Sequence, residues 1–360
     1  MKRLFKLDIL LPWVALAVLA GCAHRVPTAV VEATPVAHIV PLPGAMETRP
    51  GALRIAAAVA VEDAGTAPMA RRALDELLAT LDIANADTGT PLRLQRVDDA
   101  ALGEEGYRLV VDDAIHLSAR TDAGLLHAVQ SLRQLLPAGA GPAYRVPRLA
   151  ITDVPAYRWR GLSLDVARSF LPVDYLERHI DRMALFKLNR LHLHLTDDQG
   201  WRIEIKRHPR LVEIGGASAV QGGRAGYYTQ AQLKHLVAYA QARGVTLVPE
   251  IDMPGHVQAA LASYNALACD DVANRGTYSG VEVGFSVLCL DKPDVVYPFV
   301  RDVLEEVVAI FPSAEIHIGG DEIRHPLYAG FVARTAAMVE AMGRRPIVWE
   351  EGSVADLRPG

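Results

Sequence analysis

The chain has 360 residues, 51% of them hydrophobic, and a net charge of −5. That is enough apolar material for a large core and two domains. The acidic balance excludes nucleic-acid binding as the main business, and no apolar run beyond the N-terminus reaches bilayer-spanning length.

Lys2, Arg3 and Lys6 precede the apolar stretch from Ile9 to Ala20, which predicts an export signal over residues 1–21. Its end, Leu19-Ala20-Gly21-Cys22, resembles the lipobox of bacterial lipoproteins, where the signal is removed and the cysteine becomes the lipidated first residue. An ordinary cleaved signal with an incidental cysteine is the alternative. The lipobox implies an exported lipoprotein facing the periplasm and held by an acyl chain, at the outer membrane. Residues 22–37, with Pro27 and Pro35, read as a tether.

Residues 38–137 predict a small α+β domain. Leu74, Leu77, Leu78 and Leu81 fall at helical spacing over Pro68 to Leu81. The alternating runs Tyr107 to Val111 and Ala114 to Ser118 predict a hairpin turned at Asp112-Asp113. A second helix follows from Asp122 to Leu135, with Leu125, Leu132 and Leu136 near one face. The glycine-rich stretch beginning at Ala138 predicts a linker over 138–150.

Over residues 151–360 strands and helices alternate, as parallel βα units require. Strands are predicted at Leu162 to Val166, Arg190 to Leu195, Val245 to Pro249, Glu315 to Ile318 and Pro346 to Trp349. Helices are predicted at Val173 to Phe186, Thr229 to Ala242, Asp294 to Ile310 and Tyr328 to Met342. Polar clusters close each strand: Asp165 and Arg168, Asp197 and Asp198, Glu250 with Asp252 and His256, Asp321 and Glu322, then Trp349 with Glu350 and Glu351. A (β/α)-barrel of the TIM type keeps its chemistry at those ends.

The sharpest of these clusters is Gly319-Gly320-Asp321-Glu322. Alternation would send the two carboxylates to opposite faces, but the glycines free the backbone to twist. Two carboxyls in different environments can serve as acid and base. Capping of the following helix is the plainer use of such a pair.

Cys269 and Cys289 are predicted to pair in an oxidising compartment, two free buried thiols being the alternative. Alternation points His192 and His194 to one side of their strand. A His-x-His there can begin a metal site, which makes a metal-dependent barrel hydrolase a second possible class. No further histidine pair or metal-bridging lysine supports it on later strands.

The stretches Trp159 to Arg168, Leu191 to Arg202, Pro249 to His256 and His317 to Glu322 resemble, in this order, the family 20 glycoside hydrolases, the β-N-acetylhexosaminidases. Glu105-Gly106-Tyr107 and the helix end Leu132 to Leu136 are similar to the family's accessory domain. The resemblance implies retaining, substrate-assisted hydrolysis of terminal N-acetylglucosamine or N-acetylgalactosamine, without a cofactor or a resident metal. In that scheme the substrate's own acetamide is the nucleophile, an exception to the usual two-carboxylate chemistry. Glu322 is implied as general acid and base, and Asp321 as the carboxylate that orients the acetamide. Arg168 and Trp349 are implied to hold the sugar. Asp197, Asp252 and His256 are implied to stand behind Glu322.

Five βα strands are legible up to Trp349, whereas a closed barrel of this type has eight. A fragment, a truncated gene or a completing second chain are the expected explanations. A lipid-anchored remnant that binds amino-sugar glycans without turnover stands as the alternative function.

Overall fold

The computed structural model describes residues 36–136, 141, 143–269, 276–355 and 357. The export signal, Cys22 and nearly all of the tether lie outside the described residues. No helix among the described residues is long and apolar enough to cross a membrane.

The N-terminal domain is a seven-stranded mixed sheet carrying two helices. Its strands are β1 (Ala45–Ile55), β2 (Ala58–Asp63), β3 (Ala84–Asn85), β4 (Thr90–Arg96), β5 (Tyr107–Val111), β6 (Ile115–Ala119) and β7 (Tyr144–Asp153), in the spatial order β1-β7-β5-β6-β4-β2-β3. The hairpin β5-β6 turns as expected, Asp112 accepting the Ala114 N–H at 3.0 Å. Helix α1 (Pro68–Thr80) opens on a proline, whose missing N–H costs nothing at a helix start. Helix α2 (Asp122–Leu135) is capped by Thr121, which accepts the Gly124 N–H at 3.1 Å.

The stretch expected to be linker is corrected in its second half: residues 144–150 belong to β7, an inner strand of this sheet. Tyr144, Val146, Leu149 and Ile151 are buried along it. Pro147 hides the strand from sequence inspection, because proline removes a ladder donor. It is accommodated opposite Ala52, where the register of β1 shifts.

The C-terminal domain holds the five expected strands as one parallel sheet in the order β14-β13-β12-β9-β8. They are β8 (Gly161–Asp165), β9 (Arg190–His194), β12 (Thr246–Glu250), β13 (Glu315–His317) and β14 (Arg345–Ile347). The strands β10 (Thr196–Asp197) and β11 (Gly200–Trp201) form a small hairpin beyond β9. The helices are α3 (Val173–Leu185), α4 (Arg210–Glu213), α5 (Gln230–Gln241), α6 (Gln258–Ser263), α7 (Pro293–Ile310) and α8 (Tyr328–Ala341). Thr229 and Gln232 form a reciprocal capping box at the start of α5. Together these elements make an incomplete (β/α)-barrel of the TIM type preceded by a small α+β domain.

Cys269 and Cys289 are joined by a disulfide across a sequence separation of 20 residues. Closing a loop of that size stabilises by about 3 kcal/mol in the chain-entropy account. Within the loop, Ser286 and Leu288 reach the strand ends described next, at Asp198 and Pro254.

Candidate active site

Beyond β13 the chain turns sharply through Gly319 (φ +72°) and Gly320 (φ +99°). A side chain is sterically excluded at Gly319, because its Cβ would lie 1.8 Å from Asp252 Oδ1. The turn is tied from both sides: the Gly320 N–H donates to Asp252 Oδ1 at 3.1 Å, and the Trp349 N–H donates to the Gly319 carbonyl at 3.0 Å. The Tyr328 hydroxyl donates to the Gly320 carbonyl. Glu322 itself adopts φ +57°, a conformation that costs a non-glycine residue and collects at functional sites.

The turn brings both carboxylates to one imidazole. His256 Nε2 lies 3.4 Å from Glu322 Oε2 and 3.8 Å from Asp321 Oδ2. Helix capping does not explain the pair, since α8 begins at Tyr328 and has no side-chain cap. Glu322 is 46% exposed and Asp321 27% exposed at the side chain, so both face open space. Asp321 Oδ1 is shielded from solvent and accepts no hydrogen bond among the described residues.

On its other side His256 Nδ1 lies 3.4 Å from Asp197 Oδ1 and 3.6 Å from Asp198 Oδ2. Burial alone would drive this imidazole neutral, but Asp197 and Asp198 outweigh it and raise the pKa to about 11. Asp197 is also buried, yet His194 and His256 hold its carboxyl well below the usual carboxylate range. Asp198 is fixed in turn by the Gln258 N–H at 3.0 Å and by the Ser286 hydroxyl.

Arg168 is clamped by two carboxylates, Asp165 Oδ2 at 2.9 Å and Asp197 Oδ2 at 2.6 Å. The pairing with Asp165 fixes one edge of the guanidinium, which stays 37% exposed towards the strand ends. Asp252 is completely enclosed, and its pKa is raised well above the usual carboxylate value by burial and by the neighbouring charges of Asp321 and Glu250. Trp349 follows β14 and stacks obliquely on His317, ring centroids 4.8 Å apart.

The structure therefore brings Arg168, Asp197, Asp252, His256, Asp321, Glu322 and Trp349 to one end of the sheet. His192 and His194 turn inward instead, both onto Glu250. His194 commits its two ring nitrogens to carboxylates, Nδ1 to Glu250 at 2.7 Å and Nε2 to Asp197 at 2.9 Å. An imidazole held in this way has no lone pair left for a metal. Sequence inspection placed Glu250 in a polar cluster without a task and passed over His317. No local sequence signal joins them: His192 and His194 on β9 and His317 on β13 reach the glutamate that ends β12 only through strand register.

Comparison with known proteins agrees with this geometry. The family model described as "Glycosyl hydrolase family 20, catalytic domain" matches residues 157–329, and that for "Glycosyl hydrolase family 20, domain 2" matches residues 36–154. A β-N-acetylhexosaminidase of Cellulomonas fimi is 40% identical over 336 residues, covering 89% of this chain and 67% of the relative. A β-hexosaminidase of Porphyromonas gingivalis is 37% identical, covering 81% of this chain and 42% of the relative. The β-N-acetylhexosaminidase structure from Streptomyces coelicolor superimposes with a TM-score of 0.84 at 42% identity, covering 91% of this chain and 69% of that one. A mutant β-hexosaminidase from Streptomyces plicatus, solved with its product GlcNAc, gives 0.83 at 42% identity, covering 92% and 69%. Fold and site define a glycoside hydrolase of the barrel class. The chain belongs to glycosyl hydrolase family 20.

Proposed function

We propose that this chain is a retaining β-N-acetylhexosaminidase that removes terminal, non-reducing N-acetylglucosamine or N-acetylgalactosamine by substrate-assisted catalysis. The observation that carries the proposal is the pair itself: Asp321 and Glu322 share His256, and the side chains of both remain partly exposed at the end of the sheet. In the first step the acetamide oxygen bonds to the anomeric carbon as the glycosidic bond breaks. The proton of Glu322 passes to the leaving oxygen. In the second step water attacks the anomeric carbon of the oxazolinium ion, gives its proton to Glu322, and the bond to the acetamide oxygen breaks. Asp321, as an anion, accepts the acetamide N–H and offsets the positive charge that grows there.

Arg168, held by Asp165 and Asp197 but still 37% exposed, offers its remaining N–H groups to sugar hydroxyls, a task suited to a planar guanidinium. Trp349 presents a ring to the apolar side of the sugar. His256 and Asp197 link Glu322 to the buried charges, and Asp252 holds the turn. Support comes from the relatives named above, of which the chain covers about two thirds in the best-covered cases.

The test is hydrolysis of an aryl N-acetyl-β-glucosaminide, with the anomer of the first-formed product read by NMR. Asp321→Asn is expected to lower turnover by about a hundredfold or more even when the leaving group is a good one, because assistance precedes protonation. An unchanged rate for Asp321→Asn on such a substrate would sink the assisted mechanism.

The charged N-terminus, apolar stretch and Cys22 support export and lipid anchoring of the mature protein. We propose that Cys22 carries the acyl group, facing the periplasm at the outer membrane. Expressed in a bacterium with its leader intact, the wild-type protein should partition into detergent and take up labelled palmitate. Cys22→Ser should do neither, and labelling of that variant would refute the assignment.

A further inference from the structure

The mechanism above gives the buried carboxylate of Glu250 no work. Glu250 ends β12 and is completely enclosed. Its Oε1 accepts the Trp349 indole N–H at 2.8 Å and lies 3.3 Å from His317 Nδ1. Its Oε2 meets His194 Nδ1 and His192 Nε2, both at 2.7 Å. The far nitrogen of His194 reaches Asp197 Oδ2 at 2.9 Å, the same oxygen that receives Arg168. An unbroken line thus runs from Trp349 through Glu250, His194 and Asp197 to Arg168, with His256 branching from Asp197.

The chemistry of this line requires a charge at position 250. A neutral imidazole donates from one nitrogen only, whereas His194 meets an acceptor at each. Burial works against a cation here, yet the hydrogen bonds to Asp197 and Glu250 outweigh it and raise the His194 pKa well above its ordinary value. Burial likewise opposes the Glu250 anion, but His192 and His194 hold its carboxyl below the usual range. A buried ion pair adds little net stability over an apolar replacement, so stability alone does not account for this one.

We propose that Glu250 is a positioning residue: it fixes the Trp349 ring directly and, by holding His194 doubly protonated, fixes Asp197 and with it Arg168 and His256. The sugar-facing wall and the groups behind the general acid are thereby one rigid set. The effect on turnover rests on the hydrolase reading above; the positioning itself does not.

The test is Glu250→Gln, which keeps the shape and lets the amide oxygen accept from Trp349, but removes the charge. In nitrogen-15 NMR of the whole chain at about pH 8, wild-type His194 should show both ring nitrogens protonated. In Glu250→Gln one of them should lose its proton, and the Trp349 indole resonance, assigned by its absence in Trp349→Phe, should shift. Turnover of the variant should fall about ten- to hundredfold with KM changed far less. A merely structural glutamate would be replaced by glutamine without lowering kcat apart from KM and without changing the protonation of His194. A neutral His194 in the wild type, or an unmoved indole resonance in the variant, would overturn the proposal. If Glu250→Gln does not fold, His194→Gln is the second variant, and the Trp349 indole resonance must still move when that distant residue changes. Absence of turnover in the wild type would count against the hydrolase reading, while the NMR result would still decide the positioning.

Discussion

Glu322→Gln is expected to lower kcat on an N-acetyl-β-glucosaminide with a poor leaving group by about 10² to 10⁴, the usual worth of a positioned proton donor. The amide preserves the shape at φ +57° and carries no transferable proton, so folding should be retained while the chemistry is lost. The loss should shrink on a substrate whose leaving group is a stable phenolate, because bond breaking then needs little protonation. The comparison of the two substrates is the measurement. Equal losses on both would point to damaged binding, and no loss on either would remove Glu322 from the mechanism.

Gly319→Ala should produce the largest loss of stability. Its Cβ would sit 1.8 Å from Asp252 Oδ1 and 2.6 Å from Asp252 Cα, contacts that no side-chain rotation relieves because one is backbone. The positive φ of +72° adds strain for any residue with a Cβ. Overpacking of a rigid site with such strain costs about 3 kcal/mol or more. Thermal denaturation should show the drop, and turnover should vanish in whatever remains folded, because the turn aims Asp321 and Glu322. A variant with the wild-type midpoint and rate would show that the turn tolerates what its geometry forbids.

The barrel half of the fold was legible in the sequence because each βα unit repeats the same physical pattern. An apolar run ends in polar residues, then a helix with a 3.6-residue period follows, as β12, Glu250 and the later helix α7 illustrate. The N-terminal sheet was legible only at the hairpin β5-β6 and its two helices. Strand β1 is exposed on both faces along most of its length, so it shows no alternation, and Pro147 disguised β7. Within the site, the paired acids and the residues quoted with them could be found from spacing and resemblance. The Glu250 cluster could not, because its members are brought together by strand register: Glu250 stands opposite His194 on one side and His317 on the other. Register is a property of the assembled sheet.

Glu105 of the N-terminal domain accepts hydrogen bonds from the two terminal guanidinium nitrogens of Arg160, both at 2.9 Å, and from the Asn189 amide at 3.1 Å. Arg160 immediately precedes β8 and Asn189 immediately precedes β9. The N-terminal domain thus grips the starting ends of the two strands whose far ends deliver Arg168 and Asp197. A strand transmits displacement along its length, so the small domain acts as the fixed jaw of a vice. Amino-acid changes at Glu105 are therefore expected to loosen the seating of both strands at the end opposite Arg168 and Asp197.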